Sequence, residues 1–442
     1  MVLSFLACWL HFYRLPFVQG EYFVHNRTIF AIYVIAFFVL ARLYHGYQYG
    51  SLRVGELVYS LILADLITLG MVYVAACIMA QRMLNPLAGI VLFILQAVFS
   101  GLWLMLANRV YFMTHRPKLA IAIYRHKKDL RKLEEVRYFD HRWNLKKKVC
   151  WNEEEKQASR ENADVDEDIH TLIPMMAPYE TVFVAGISAT LRNGIEKYCL
   201  EKGKECLFVP HIGDVITAGA EHMHSFAVPI YSVNRCRLTP EYAIVKRIFD
   251  IVISGIATVV LSPFILATAI AIRAYDGGPA LYKQVRLTKD GRKFKILKFR
   301  SMKMDAEKDG VARLASEHDD RITPVGKVIR AIRFDELPQL INILRGDMSI
   351  VGPRPERPEI AQQYEKELPA FKLRLQVKAG LTGYAQVYGR YNTEPADKLK
   401  MDLMYINNIG MVEDMKLMFA TVKILFMKES TAGISDDQTT AL

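Results

Sequence analysis

The stretch from Ile248 to Ile272 reads IFDIVISGIATVVLSPFILATAIAI, an apolar run long enough to cross a bilayer, which takes roughly 20 residues. Its middle carries Ser262-Pro263, and a proline inside a helix removes a hydrogen bond and forces a kink. A kinked transmembrane helix is one reading. The flanks argue against it, because Lys246 and Arg247 precede the run and Arg273, Lys283 and Arg286 follow it. Positive residues stay on the cytoplasmic side, so both ends belong there. A hairpin that enters and leaves through the same leaflet satisfies both ends, and it divides the chain into a membrane-rich half before and a soluble half after.

Upstream, three further runs are long enough to span: Thr28 to about Tyr44, Glu56 to Ala80, and Pro86 to about Ala107. Asp65 lies inside the second, where an ionisable side chain is expected to face a helix partner or a cavity. Val2 to Tyr13 is too short to span and lacks the basic start and small-residue cleavage site of a signal peptide. It reads as a clipped first transmembrane helix. Arg42 and Arg53 flank the first loop, and a dense basic set from Arg109 to Lys132 follows the last span. Everything after about residue 110 is therefore expected in the cytoplasm.

The formal charge of +11 over 442 residues is explained by that topology and by phosphate handling. No aromatic-interleaved basic stripe or helix-turn-helix points to nucleic acid. The apolar share of 52% beside 23% charged residues fits coexisting greasy and soluble parts. The six cysteines form no C-x-x-C pair, which argues against a zinc site or disulfide framework and fits a reducing compartment.

Between these halves, KLAIAIY (Lys118–Tyr124) alternates like a strand and a charged helical stretch follows. Then come a strand at Thr181–Ile187, a helix at Ser188–Lys202, a strand at Glu205–Pro210 and a helix after His211. This alternation predicts a small parallel α/β layer. A dinucleotide site needs glycines in the turn after the first strand, yet that turn reads Arg125-His126-Lys127-Lys128-Asp129. A Rossmann-like shape without a bound cofactor is expected, with Asn152–Asp168 as a solvated acidic loop.

The soluble half opens with Asp290-Gly291 as a hairpin turn and KFKILKFR (Lys293–Arg300), a half-buried strand with cations on one side. Thr323 caps and Pro324 begins a helix that displays Lys327, Arg330 and Arg333. After Phe334, Asp335-Glu336-Leu337-Pro338-Gln339 begins a second helix, which Gly346 ends. Two acids at a helix start are commonly a cap and a first-turn acid. As chemistry they suit phosphoryl transfer: one carboxylate can attack phosphorus while its neighbour helps hold Mg²⁺. Gly352-Pro353-Arg354-Pro355 is a stiff turn presenting one guanidinium to a phosphate. Gly380–Tyr384 and Gly389-Arg390 form another glycine-rich, cationic segment.

Residues 243 to about 434 resemble the bacterial sugar transferases, the polyprenyl-phosphate hexose-1-phosphate transferases. The motifs are Lys246–Asp250, Ser262-Pro263, Lys298–Met302, Asp335–Leu340, Gly346–Ser349, Val351–Pro355 and Gly380–Gly383. The layout resembles the long branch with four N-terminal spans and a Rossmann-like module. The resemblance implies a membrane protein of α and α/β class: a transmembrane region (1–112, three full spans plus a short first one), a degenerate Rossmann-like module (113–238), and a mostly helical catalytic domain (239–442) with a re-entrant helix at 247–272. It implies Asp335 as the nucleophile toward a UDP-sugar, releasing UMP, and polyprenyl phosphate as the acceptor. It further implies Glu336, with Asp335, as the Mg²⁺ site, and Arg330, Arg354, Pro353, Pro355, Lys298 and Arg300 around the phosphates and nucleotide. Lys246, Arg247, Ser262 and Pro263 belong to the membrane hairpin. Phe334 departs from the usual leucine. The expected partners are the UDP-sugar, the polyprenyl lipid and the membrane, with self-association into a homo-oligomer left open. The expected setting is the bacterial inner membrane, with the catalytic domain on its cytoplasmic face, at the first step of exopolysaccharide, capsule or glycoconjugate assembly. Two rivals are a phosphatase or pyrophosphatase that passes the phosphoryl group from the phospho-aspartate to water, and an inactive membrane scaffold of a polysaccharide complex.

Overall fold

The computed structural model describes residues 1–12, 22–48, 54–134, 142–152, 165–225, 228–304, 321–389 and 393–425. The chain forms two compact units, Met1–Pro210 and His211–Leu442.

The first unit begins with α1 (Val2–Phe12), α2 (Tyr22–Leu43), α3 (Val54–Ala80) and α4 (Leu87–Thr114). Its α/β part continues with β1 (Lys118–Tyr124), α5 (Lys127–Glu134), β2 (Trp143–Cys150), α6 (Val165–Met176), β3 (Thr181–Ala185), α7 (Ala189–Glu201) and β4 (Glu205–Phe208). Asp65, midway along α3, is wholly buried. The Tyr33 hydroxyl of α2 donates to its Oδ1 at 3.2 Å, and Gln96 of α4 donates to the Tyr33 oxygen at 3.1 Å. A carboxyl that would be costly against lipid is thus turned inward onto neighbouring helices. α4 runs on to Thr114, so Arg109 lies within the helix rather than beyond it.

The four strands are parallel in the order β2-β1-β3-β4, a doubly wound arrangement whose switch point lies between β1 and β3. Ligands of such sheets bind at the switch point. Here the Asp129 carboxylate accepts from the His126 amide at 3.2 Å. It also presses on Gly186, where an added Cβ would lie 2.3 Å from Asp129 Oδ2. A carboxylate stands where a pyrophosphate would have to come. The sequence reading overlooked β2 and α6. In β2 the run Lys146-Lys147-Lys148 breaks the alternation; lysines are a means of blunting an edge strand, and β2 is one of the two edges. α6 starts at Val165, inside the segment expected as an acidic loop, and most of the rest of that segment lies outside the described residues.

The second unit comprises α8 (Ile212–Ala218), β5 (Glu221–Ser225), β6 (Val228–Ser232), α9 (Pro240–Asp276), β7 (Leu281–Leu287), β8 (Lys293–Phe299), α10 (Pro324–Ala331), a 3₁₀ turn (Phe334–Glu336), α11 (Gln339–Arg345), β9 (Ser349–Val351), α12 (Pro358–Glu367), a second 3₁₀ segment (Pro369–Gln376), β10 (Gly380–Thr382), α13 (Tyr384–Val387), α14 (Pro395–Asn407) and α15 (Met411–Leu425). β7 and β8 pair as the expected hairpin, turning where Asp290 and Gly291 take positive φ. β9 and β10 pair in parallel. A core including Phe294, Ile296, Ile343, Met348, Phe371, Leu399 and Leu417 joins the hairpin to the helices.

Among the described residues, three helices are long and apolar enough to cross a membrane: α3, α4 and α9. α9 has 37 residues and runs through Ser262-Pro263 without an intervening loop. The Ser262 hydroxyl donates to the Val259 carbonyl at 2.7 Å. Lys246, Asp250 and Ser254 are buried near its start and Thr268 and Ile272 near its end, while Ile256, Val259 and Val260 between them are exposed.

Candidate active site

α10 ends at Ala331, and Arg333 adopts a left-handed conformation (φ 55°) that turns the chain into the 3₁₀ turn of Phe334, Asp335 and Glu336. The expected Thr323 cap is present, accepting from the Gly326 amide at 2.9 Å, with Pro324 in the first turn. The acid pair therefore sits in a tight turn before the next helix rather than in its first turn, since α11 starts only at Gln339. Gly346 closes α11 at φ 88°, and Arg247 donates to the carbonyls of Ile343 and Leu344 at 2.6 and 2.7 Å.

Glu336 is held by two cations on one oxygen: Lys298 Nζ of β8 at 3.4 Å and Arg354 Nη2 at 3.2 Å. Burial alone would raise its carboxyl, but Lys298 and then Arg354 draw it down to about 2. Asp335 shifts the other way. Burial and the neighbouring Glu336 charge raise it, with Lys298, Arg330 and Arg354 pulling back. Burial, and then Arg354, lower the Lys298 ammonium despite Glu336. No hydrogen bond or ion pair engages the Asp335 carboxyl among the described residues. Two adjacent carboxylates pushed apart in this way have different tasks: one is pinned and ionised, the other free to approach an electrophile.

Lys298, Arg330, Asp335, Glu336 and Arg354 thus act on one another electrostatically. Arg300 is spent elsewhere, buried in an ion pair with Asp276 at the end of α9. Lys246 is likewise internal, paired with Asp414 of α15 and 3.4 Å from the Tyr405 hydroxyl. Lys246, expected as a basic flank of the apolar run, is thus buried rather than solvated. Pro353 and Pro355 frame Arg354 as expected, and Arg390 lies outside the described residues. The sequence reading missed Arg286, Glu356, Arg374 and Asp402, which lie behind the Arg354 turn. Isolated charges in unremarkable stretches gave no motif by which to find them.

A divalent cation would find two carboxylates here, since no group of three or more His, Cys, Asp or Glu stands together among the described residues. Glu336 Oε1 is taken twice, leaving Oε2 and the Asp335 oxygens as donors. That set fits Mg²⁺, which keeps several waters and is bound by one or two carboxylates plus substrate phosphate.

Phe334 packs edge-on against Phe264, centroids 6.0 Å apart, within a cluster that includes Ile265, Ala269 and Ile272 of α9 with Phe299 and Ile329. The acid pair is thereby fastened to the apolar helix one residue past Pro263. An acid pair in a cationic cradle is thus packed against a helix long and apolar enough to cross a membrane.

Residues 241–428 match the family model described as bacterial sugar transferase. The chain is similar to a UDP-N-acetylgalactosamine-undecaprenyl-phosphate N-acetylgalactosaminephosphotransferase of Aeromonas hydrophila, 42% identical over 190 residues, covering 42% of this chain and 45% of the relative. It is similar to a UDP-glucose:undecaprenyl-phosphate glucose-1-phosphate transferase of Klebsiella pneumoniae, 35% identical over 231 residues, 51% of this chain and 49% of the relative. The match thus spans about half the length of these two relatives. It covers 94% of an exopolysaccharide production protein PSS of Rhizobium leguminosarum bv. phaseoli, 40% identical over 188 residues and 40% of this chain. This chain belongs to the bacterial sugar transferase family.

Proposed function

We propose that the protein transfers a sugar-1-phosphate from a UDP-sugar to undecaprenyl or another polyprenyl phosphate at the cytoplasmic face of the bacterial inner membrane. The observation that carries this reading is the unpaired Asp335 carboxyl beside a Glu336 fixed by Lys298 and Arg354. An Asp335 oxygen attacks the sugar-bearing phosphorus, the bond to the UMP oxygen breaks, and UMP leaves. An oxygen of the polyprenyl phosphate then attacks the same phosphorus, releasing the Asp335 carboxylate and giving a polyprenyl diphosphate sugar. Arg354 and Arg330 orient the diphosphate, and Lys298 keeps Glu336 ionised. Mg²⁺, held by Glu336 and Asp335, would offset negative charge on the phosphates. The step would begin exopolysaccharide, capsule or glycoconjugate assembly.

A re-entrant path for α9 belongs to this proposal. What supports it is that both parts of the helix pack on one unit. Arg247 and Asp250 engage α11 and β9, while Phe264 to Ile272 engage Phe334, Phe299 and Ile329. Straight, its 37 residues would run about 55 Å, well beyond a hydrocarbon core of about 30 Å. Bent at Pro263, the two parts of the apolar run Ile248–Ile272 reach about 22 Å and about 15 Å, each part-way through that core.

The test is to incubate purified protein with a panel of UDP-sugars, with and without polyprenyl phosphate. UMP release and a lipid-linked diphosphate sugar are expected. UMP and free sugar-1-phosphate without the lipid product would favour the hydrolase that passes the phosphoryl group to water, and no turnover would favour the scaffold.

A further inference from the structure

Behind Arg354 the backbone is gripped in an unusual way. The four consecutive carbonyls of Pro353, Arg354, Pro355 and Glu356 each accept a hydrogen bond. Their donors are the Gly380 amide at 2.9 Å, Arg374 Nη2 at 2.9 Å, Arg286 Nη1 at 3.2 Å and the Leu287 amide at 3.0 Å. Pro353 and Pro355 have no amide hydrogen, so every second residue of this turn is without a backbone donor. Two guanidiniums, the buried Arg374 and the half-buried Arg286, supply half of these four bonds.

Arg374 is 2% exposed and lies in the 3₁₀ segment after α12, remote in sequence from the turn. Its Nη2 also meets Asp402 Oδ2 of α14 at 2.8 Å, and its Nη1 meets Glu356 Oε1 at 3.4 Å. A guanidinium offers five donors in a fixed plane, which lets one side chain tie the turn, α14 and its own segment together. Burial raises Asp402 to about 6, with Arg374 holding it back. Glu356 is drawn below its ordinary value against the effect of burial, by Arg374 first and then by Lys398 and Arg286. The cations acting on these two acids, Arg374, Lys398, Arg286 and Arg354, outnumber them.

We propose that Arg374 is a positioning residue for the nucleotide-diphosphate subsite: braced by Asp402 and Glu356, it fixes the Arg354 carbonyl and so the direction in which the Arg354 guanidinium is presented. This deepens the functional reading above and rests on it. Arg374 acts only through Arg354, so its contribution to ligand binding vanishes when the Arg354 guanidinium is absent. A residue that merely stabilises the fold has no such dependence.

The experiment is a double-mutant cycle on the full-length protein in nanodiscs, with the Kd for UDP as readout and thermal melting as a check on folding. Arg374→Lys keeps the charge and loses the fork, so it should weaken UDP about 5–10-fold, the size of one ordinary hydrogen bond. Arg354→Ala should weaken UDP at least as much, and adding Arg374→Lys to it should change Kd by less than 2-fold. Asp402→Asn should reproduce the loss with a higher KM for the UDP-sugar and little change in kcat, and it decides the matter should Arg374→Lys fail to fold. Wild-type UDP affinity in the folded single variants, equal losses in both backgrounds, or no UDP binding by the wild type would each overturn the proposal. A wild type that binds UDP but transfers no sugar phosphate would instead overturn the functional reading and leave the cycle standing.

Discussion

Asp335 and Glu336 are chain neighbours with opposite electrostatic fates, and each predicts a different experiment. Asp335→Asn should abolish transfer, by at least about a thousandfold as expected for loss of an attacking group, and no covalent phosphosugar should form on the protein. Intact mass spectrometry after mixing with UDP-sugar alone checks this. Near wild-type turnover would refute the nucleophile assignment. The attack needs an ionised Asp335, which Lys298 favours by lowering its pKa. Lys298→Met should therefore move the acid limb of kcat/KM to higher pH, as well as slowing the reaction. Glu336 titrates near 2 when folded against 4.5 ordinarily. Its contribution to stability is full above about pH 4.5 and is lost as the pH falls toward 2. Melting temperatures between pH 3 and 6 should fall less steeply in Glu336→Gln than in the wild type.

At the scale of the element, α9 is held by its ends. Lys246 and Asp414 are both buried, and Tyr242 and Tyr405 each donate to Asp414 at 2.8 Å. Removing one partner of a buried pair costs about 3–5 kcal/mol because the other charge stays uncompensated. Lys246→Met should lower the melting temperature markedly, and Lys246→Met with Asp414→Leu should recover part of that loss. The path of the helix is read separately, by single cysteines replacing Glu241 and Tyr275. Both are exposed and just outside the apolar run, whereas their neighbours Tyr242 and Asp276 are tied into hydrogen bonds. In intact cells an impermeant thiol reagent should label neither. Labelling at 275 but not at 241 would mean a spanning helix, and the hairpin would have to be given up. Replacing Ser262-Pro263 with Ala-Leu should favour the straight helix and reduce transfer.

At the scale of the whole molecule, the division at Pro210 separates the parallel sheet from the unit that carries the acid pair. The Rhizobium relative consists of little more than the matching region. Residues 211–442 expressed alone and returned to membranes should therefore keep measurable transfer, and a wholly inactive but folded and membrane-bound fragment would contradict that. The sheet should bind NAD no tighter than millimolar, because Asp129 confronts an incoming pyrophosphate at the switch point. Micromolar binding by the intact protein would contradict it.

What the sequence determined by itself is whatever depends on composition and spacing along the chain. Apolar runs gave the helices, alternation gave β1 and β8, and Thr323, Asp290-Gly291 and Gly346 marked ends and turns whose geometry is local. The acid pair and Arg354 were legible because their motifs are contiguous. Tertiary structure alone decided how charges far apart in sequence are partnered. Folding pairs Arg300 with Asp276, and Lys246 with Asp414, some 170 residues away. Arg374 carried no motif at all, because a buried cation's role is set by the carboxylates and carbonyls that surround it. β2 stayed hidden because its lysines suit an edge strand, and only the sheet order shows which strand is the edge. Hydrophobic burial is written in the periodicity of the chain, whereas the pairing of charges depends on distances of a few ångströms that only the folded chain sets.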